Sequence, residues 1–343
     1  MRGRAFLRGA WAPAGHQGRN WRSSILVTER INIGVAGAGV FGGHHCGKIA
    51  GREDAALSGV YDIDHDRALL QARKHNVPAE KNFADLLERA DAVIIAAPAI
   101  AHYELALEAL RAGRHVFVEK PVALSLEEAD ELIALSMTRG LILQVGHQER
   151  YVAEAAGLFD RKRAPVKVDC VRHTAATGRC EDVSVVLDLM IHDIDLIRKL
   201  TGAEIESVSA RGENHAAEAE LMLDNGSTVS LAASRRAGTP ERRMTLVYDD
   251  GIIEFDFVNR KAANTTPSPL HACFDGEDAP LSFRDPLAFG TEIFVTAIRE
   301  GKTPSVTGAD GRQALQWALS IEEAAGIGAS YDQQYKTPER RRA

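Results

Sequence analysis

The segment Ile31-Asn32-Ile33-Gly34-Val35-Ala36-Gly37-Ala38-Gly39-Val40-Phe41-Gly42 decides how this chain is read. The run Ile31–Ala36 has the continuous apolar character of a strand buried on both faces of a parallel sheet. It feeds into G-x-G-x-x-G. Gly37 permits a tight turn, Gly39 lets backbone approach a pyrophosphate, and Gly42 lets a helix over Phe41–Ala50 pack against the strand. The helix start, with Val40 and Phe41, then faces the phosphates. A glycine-rich turn alone is often only a turn. Here it lies between a strand and a helix, and Asp62 follows Gly42 by 20 residues at the end of a second strand, Ala56–Tyr61. An acid there accepts from ribose hydroxyls, which predicts a dinucleotide site. Asp62 and Asp64 oppose a 2′-phosphate, favouring NAD over NADP, although Arg67 is near enough to offset them.

Outward from this segment, short apolar runs alternate with helical stretches: a helix over His65–His75, a strand over Ala92–Ala96, a helix over Ala101–Ala112 closed by Gly113, and a strand over His115–Val118. Ser125 with Glu128 forms a capping-box pattern, and Leu141–Val145 is a further strand. The rhythm predicts an α/β chain with an N-terminal doubly wound parallel sheet over residues 31–150. Past residue 150 it changes. Val166–His173, Glu204–Arg211, Glu218–Leu223, Thr228–Ser234, Met244–Tyr248 and Ile252–Phe257 alternate as strands, with turns at Asp224-Asn225-Gly226 and Asp249-Asp250-Gly251. Val185–Leu200, Phe289–Arg299 and Gln313–Ala325 read as helices, and 259–284 as a surface loop. Residues 151–330 are therefore expected to form an α+β substrate and oligomerisation domain with a mostly antiparallel open sheet, followed by a charged tail over 331–343.

The net charge of −7 gives no basic face for nucleic acid, and no apolar run is long enough to span a bilayer. Residues 1–30 stand apart, with six arginines against one acid, Glu29; lacking an apolar core, they read as an extension, disordered or packed on a neighbour, rather than a signal peptide. Cys46, Cys170, Cys180 and Cys273 have no zinc spacing and read as reduced thiols of a cytoplasmic protein without a metal.

Candidate chemistry falls at strand ends and on one helix. Pro98 ends the Ala92–Ala96 strand region beside the switch point, with His102 four residues on; both, with Glu119 and Lys120, are candidate cofactor contacts. Lys120, at the carboxyl end of a buried strand, suits an ammonium that stabilises a forming alkoxide, though a solvated strand-end lysine has the same sequence appearance. Asp188 and His192 are four apart on a predicted helix, so a carboxylate can orient an imidazole base; a lone helical histidine is otherwise a packing or surface residue. Arg150 and Arg179 are candidate diphosphate or carboxylate partners, or ordinary surface arginines.

GAGVFG, the Asp62 strand end, AAP with His102, AGRHVFVEKP, DLMIHDIDL and DPLAFGTEIFVTAIREGKTPSVTGADG occur in this order between about residues 31 and 325. Together they resemble the Gfo/Idh/MocA oxidoreductases. The resemblance implies a six-stranded open sheet in the second domain, a cis Pro121 peptide, a homo-oligomer (dimer or tetramer) through that sheet, and catalytic roles for Lys120, Asp188 and His192. It implies hydride transfer from a sugar hydroxyl to NAD. Within the family, GHQERY (146–151) and VVLDLMIHDIDLI (185–197) are most like bacterial dehydrogenases that oxidise the 3-hydroxyl of UDP-N-acetylhexosamines, with Lys120, Arg150, Arg179 and His192 on the substrate. The sequence departs from the usual GH-x-ER-Phe-Asn-Pro-Ala at Tyr151-Val152-Ala153-Glu154. A free-sugar or inositol dehydrogenase and a non-catalytic cofactor-binding regulator on the same fold remain the alternatives.

Overall fold

The computed structural model describes residues 30–175, 182–271 and 278–327. The first half is a six-stranded parallel sheet in the order β3-β2-β1-β4-β5-β6. Its strands are β1 (Ile31–Ala36), β2 (Ala55–Tyr61), β3 (Ala79–Glu80), β4 (Ala92–Ile95), β5 (His115–Val118) and β6 (Leu143–Val145). Between them run α1 (Val40–Ala50), α2 (His65–His75), α3 (Phe83–Arg89), α4 (His102–Arg111) and α5 (Leu126–Arg139). This is the Rossmann order, and it reverses between β1 and β4, where a crevice opens at the strand carboxyl ends. The predicted strands and helices occur with shifts of one or two residues, apart from β3 and α3, which short, weakly periodic segments concealed.

Helix starts follow side-chain chemistry. Asp64 caps α2 by accepting from Asp66 N. Ser125 caps α5 by accepting from Glu128 N, while the Glu128 carboxylate reaches back to Leu124 N rather than to Ser125 N. Gly113 follows α4 with φ +77°, as its position past the helix end required.

After α6 (Glu149–Ala155), the chain builds β7 (Lys167–His173), α7 (Ile191–Thr201), β8 (Ile205–Glu213), β9 (Ala216–Leu223), β10 (Thr228–Ser234), β11 (Glu241–Tyr248), β12 (Gly251–Asp256) and β13 (Lys261–Asn264). The sheet has seven strands, β13-β12-β11-β7-β10-β9-β8, not the six expected. The extra edge strand β13 lies in the stretch read as loop, because polar residues such as Lys261 and Asn264 suit an edge and leave no apolar signature. The β7–β10 pair is parallel and the rest are antiparallel. One face buries Val168, Cys170, Leu221, Leu231, Leu246 and Phe255. The alternate residues, including Glu218, Glu220 and Glu254, remain exposed on the other.

Among the described residues, three helices come last: α8 (Leu281–Arg284), also inside the expected loop, α9 (Pro286–Glu300) and α10 (Gly308–Ala325). The α9 helix returns to the first sheet. Phe294 and Val295 join Ile33, Val35, Ile94 and Phe117 in one core, and Gln144 Nε2 donates to Gly290 O at 2.8 Å. The α10 helix, held by a Thr307–Asp310 capping box, packs on α5, α7 and β8 and so ties the two sheets together. Among the described residues, no helix is long and apolar enough to cross a membrane. Cys46 and Cys170 are buried free thiols; Cys180 and Cys273 lie outside the described residues.

Candidate active site

The glycine turn has the shape its sequence demanded. Gly37 takes φ +94°, and a Cβ there would meet Ala97 N at 2.5 Å. A Cβ on Gly42 would overlap the Gly37 carbonyl, whereas Gly39 faces open space. Unlike α2 and α5, α1 begins at Gly39 with no side-chain cap and no acid in its first turn. Its terminal N–H groups are thus available to an anion, and an approaching phosphate meets no Cβ at Gly39. Val40 and Phe41 stand exposed on the rim. Asp62 Oδ2 accepts from Ala38 N at 2.6 Å and Oδ1 from Asp64 N at 2.9 Å, which fixes its carboxylate beside the turn. Arg67 is engaged by Asp64 at 3.1 Å rather than directed to a phosphate. These residues fit a dinucleotide whose adenosine ribose lacks a 2′-phosphate.

Two of the expected cofactor contacts are occupied otherwise. His102 is buried, with Nδ1 2.7 Å from Pro121 O and Nε2 2.9 Å from Ala97 O. It joins the loops after β4 and β5 and has no ring nitrogen left for a ligand; burial holds it below the ordinary imidazole range. Glu119 accepts from His45 Nε2 at 2.9 Å and Gln148 Nε2 at 3.0 Å, and its carboxylate lies where any side chain on Gly146 would sit. Both are thus buried and held by protein groups at the strand carboxyl ends. Pro98 stays at the end of β4, where the 3₁₀ turn Ala99–Ala101 begins.

Lys120 precedes a cis peptide to Pro121 at the end of β5. Its Nζ donates to Asp188 O at 2.6 Å and Asp188 Oδ1 at 2.9 Å, joining the two halves of the chain. An ammonium has three N–H groups, so one remains for a substrate oxygen. Asp188 does not contact His192. The expected continuous helix over Val185–Leu200 begins instead as a π turn, Val186–Met190, before α7. The wider turn shifts the phase on which the i, i+4 argument depended. Asp188 is left between Lys120 and Arg235 Nε, the latter 3.5 Å away.

His192 is partly buried at the start of α7. Burial, reinforced by Lys120, Arg172, His147 and Arg242, holds its pKa well below the ordinary histidine value, so the ring is neutral at pH 7. Its Nδ1 is buried without a hydrogen-bond partner. The neighbouring acids are taken by buried arginines. Asp193 pairs with Arg172 through two bonds of 2.9 and 2.7 Å, and Arg172 also donates to Glu149 at 3.0 Å. Asp195 pairs with Arg150, bidentately, and Arg150 NH1 reaches Asp310 at 3.0 Å.

Arg150 is therefore committed to protein partners. It is 4% exposed, and its guanidinium donates to two carboxylates and the Ser305 carbonyl. Glu149 and Arg150 together staple α6 to β7, α7 and α10, which is the physical content of the GH-x-ER pattern. The departure at Tyr151-Val152-Ala153 falls on buried α6 positions, so it changes core packing rather than the crevice. Arg179 lies outside the described residues. Sequence reasoning missed His147, just past β6. It is 1% exposed, and its ring meets that of His192 edge-to-face with centroids 6.3 Å apart. A histidine two residues past a strand's carboxyl end was the available signal.

Residues 31–147 match the model of an oxidoreductase family with an NAD-binding Rossmann fold, and 158–254 match the GFO/IDH/MocA C-terminal domain. The chain is 35% identical over 312 residues to the UDP-N-acetylglucosamine 3-dehydrogenase of Acidithiobacillus ferrooxidans, covering 86% of this chain and 97% of that one. A solved structure of that enzyme superposes with a TM-score of 0.79 at 33% identity, over 87% of this chain and 98% of that one. The myo-inositol 2-dehydrogenase of Thermotoga maritima is 26% identical over 321 residues, 83% of this chain and 93% of that one. A scyllo-inositol dehydrogenase from Lactobacillus casei, solved with NAD(H) and scyllo-inositol, shares the fold (TM-score 0.74, 24% identity, 87% of this chain and 97% of that one). With its glycine turn, its Asp62 carboxylate and both family domains in order, the chain belongs to the Gfo/Idh/MocA family of NAD-binding oxidoreductases.

Proposed function

We propose that this protein oxidises the 3-hydroxyl of a UDP-N-acetylhexosamine to a ketone. The observation that carries the reading is the joining of Lys120, at the end of β5, to Asp188 in the turn that leads to His192. It stands beside 35% identity to a UDP-N-acetylglucosamine 3-dehydrogenase across nearly all of that enzyme's length. NAD⁺, held by the Gly37–Gly42 turn and Asp62, supplies the hydride acceptor. His192, neutral at pH 7, accepts the hydroxyl proton at Nε2, while the C–H electron pair leaves as hydride and the C=O bond forms. The remaining N–H of Lys120 holds the reacting oxygen and stabilises charge on it. Asp188 fixes the ammonium through two contacts, so the donor is aimed before substrate arrives.

The assembly proposed with it is a homo-oligomer, a dimer or tetramer, through the open face of the seven-stranded sheet, where Met222 and Ile252 are exposed among polar residues. The compartment proposed is the cytoplasm, which suits the unpaired thiols of Cys46 and Cys170.

The test is incubation with NAD⁺ and UDP-N-acetylglucosamine, a carbonyl trap to draw the reaction forward, and mass spectrometry. A trapped nucleotide sugar lacking two hydrogens supports the reading. Turnover of myo-inositol or glucose with none of the nucleotide sugar moves the substrate to free cyclitols or sugars. NAD binding without turnover of any of them favours the non-catalytic regulator.

A further inference from the structure

A histidine base needs its second nitrogen held, so that the lone pair on the first points at the substrate. Carboxylates usually do this. Among the described residues, the acids nearest His192 in sequence are engaged elsewhere: Asp188 by Lys120, Asp193 by Arg172 and Asp195 by Arg150. The ring that meets His192 is His147, from the loop after β6 on the other half of the chain. Three ring nitrogens, His192 Nδ1 and both of His147, are buried here without a hydrogen-bond partner. Unpaired buried polar nitrogens are costly, and three in adjacent rings call for a shared partner. The 6.3 Å centroid separation puts the rings beyond a direct bond and within reach of one bridging water.

We propose that His147 is the positioning residue for His192: through one water, a His147 ring nitrogen accepts the proton of His192 Nδ1–H and so keeps the Nε2 lone pair turned to the substrate. The inference rests on the reading of His192 as base. It assigns to a neutral imidazole the role that the sequence suggested for Asp188. The charged surroundings favour this choice. The charges of Lys120, Arg172 and Arg242 act on His192, and those of Asp195, Arg150, Lys120 and Glu119 on His147. Burial, only partly opposed by Asp195, keeps His147 below the ordinary imidazole range, so it is neutral and able to accept.

The experiment is NMR of the full-length protein with ¹⁵N-labelled histidine, without substrate, with resonances assigned by His147→Gln and His192→Asn variants. The expected result is His192 as the Nδ1–H tautomer in the native protein, shifting towards Nε2–H in His147→Phe. An Nε2–H tautomer in the native protein overturns the proposal; where a variant fails to fold, the two rings are assigned on the native protein by through-bond and through-space NMR correlations. In turnover, His147→Phe lowers kcat by about 10²-fold with KM and NAD affinity little changed, and His147→Gln, which keeps an acceptor, restores most of the loss. Equal kcat in His147→Phe and native enzyme also overturns it. Failure of the substrate reading shows separately, as absence of nucleotide-sugar turnover by native enzyme while the tautomer result stands.

Discussion

The dinucleotide turn and the catalytic helix solve the same problem, holding polar groups where a reaction needs them, by opposite means. The turn is local. Gly37, Gly39 and Gly42 work through what backbone conformation and missing Cβ atoms permit, and even Asp62 acts on Ala38 only 24 positions away. The helix is assembled from afar. Lys120 reaches Asp188 across 68 positions, Arg150 reaches Asp195 across 45, and both Arg150 and Arg172 are withdrawn from water to do it. A local device leaves its signature in spacing. A long-range one leaves only its members, whose pairing is decided by the fold.

The comparison breaks most visibly at Lys120. Lys120→Ala should lower kcat/KM for the sugar substrate by about 10³-fold, the scale of losing a charge-stabilising donor, while NAD affinity stays within a few-fold. Steady-state kinetics with NAD titration checks this; a parallel collapse of NAD binding would place Lys120 in the local device instead. Next is Arg150→Ala, which leaves Asp195 buried and unpaired and should cost about 3–5 kcal/mol in urea unfolding. A loss below about 1 kcal/mol would mean the pair is dispensable and the helix is held by packing.

A broader effect follows from pH. Burial holds His102, His147 and His192 below the ordinary value of 6.5. As pH falls through that value the unfolded chain takes up protons that the folded chain refuses, so stability is complete above it and declines below. The urea midpoint should drop between about pH 7.5 and about pH 5.5, with His75 and His115, also held low by burial, adding to these three. An unchanged midpoint would contradict their buried neutral state. The smallest expected effect sharpens the local side: Asp62→Asn should weaken NAD binding by about 1–2 kcal/mol, the scale of a charge-assisted hydrogen bond, and narrow the preference over NADP, read by fluorescence titration.

How much was legible follows from the same contrast. The β1 turn, the Asp62 strand end and Lys120 past β5 could be placed from sequence because strand, turn and helix follow one another directly there. The pairing of Asp188 with His192 could not. Val185-Val186-Leu187 and Leu189-Met190-Ile191 are apolar all round, so no periodicity betrays the π turn that changes the phase. The pairing of Arg150 was not legible because nothing in the sequence says that an arginine is buried; only the arrival of Asp195 and Asp310 from distant helices does. The partners of His102 were hidden in the same way, being two backbone carbonyls. His147 went unseen because its neighbour in space lies 45 positions away.

The central claim is hydride transfer from the 3-position of a UDP-N-acetylhexosamine to NAD⁺. The most direct test uses UDP-N-acetylglucosamine deuterated at carbon 3, with the reduced cofactor recovered and weighed by mass spectrometry. The account predicts one deuterium in each reduced nicotinamide and a slower turnover than with the protiated sugar. Reduced cofactor without deuterium, or none formed while NAD⁺ is bound, would contradict it.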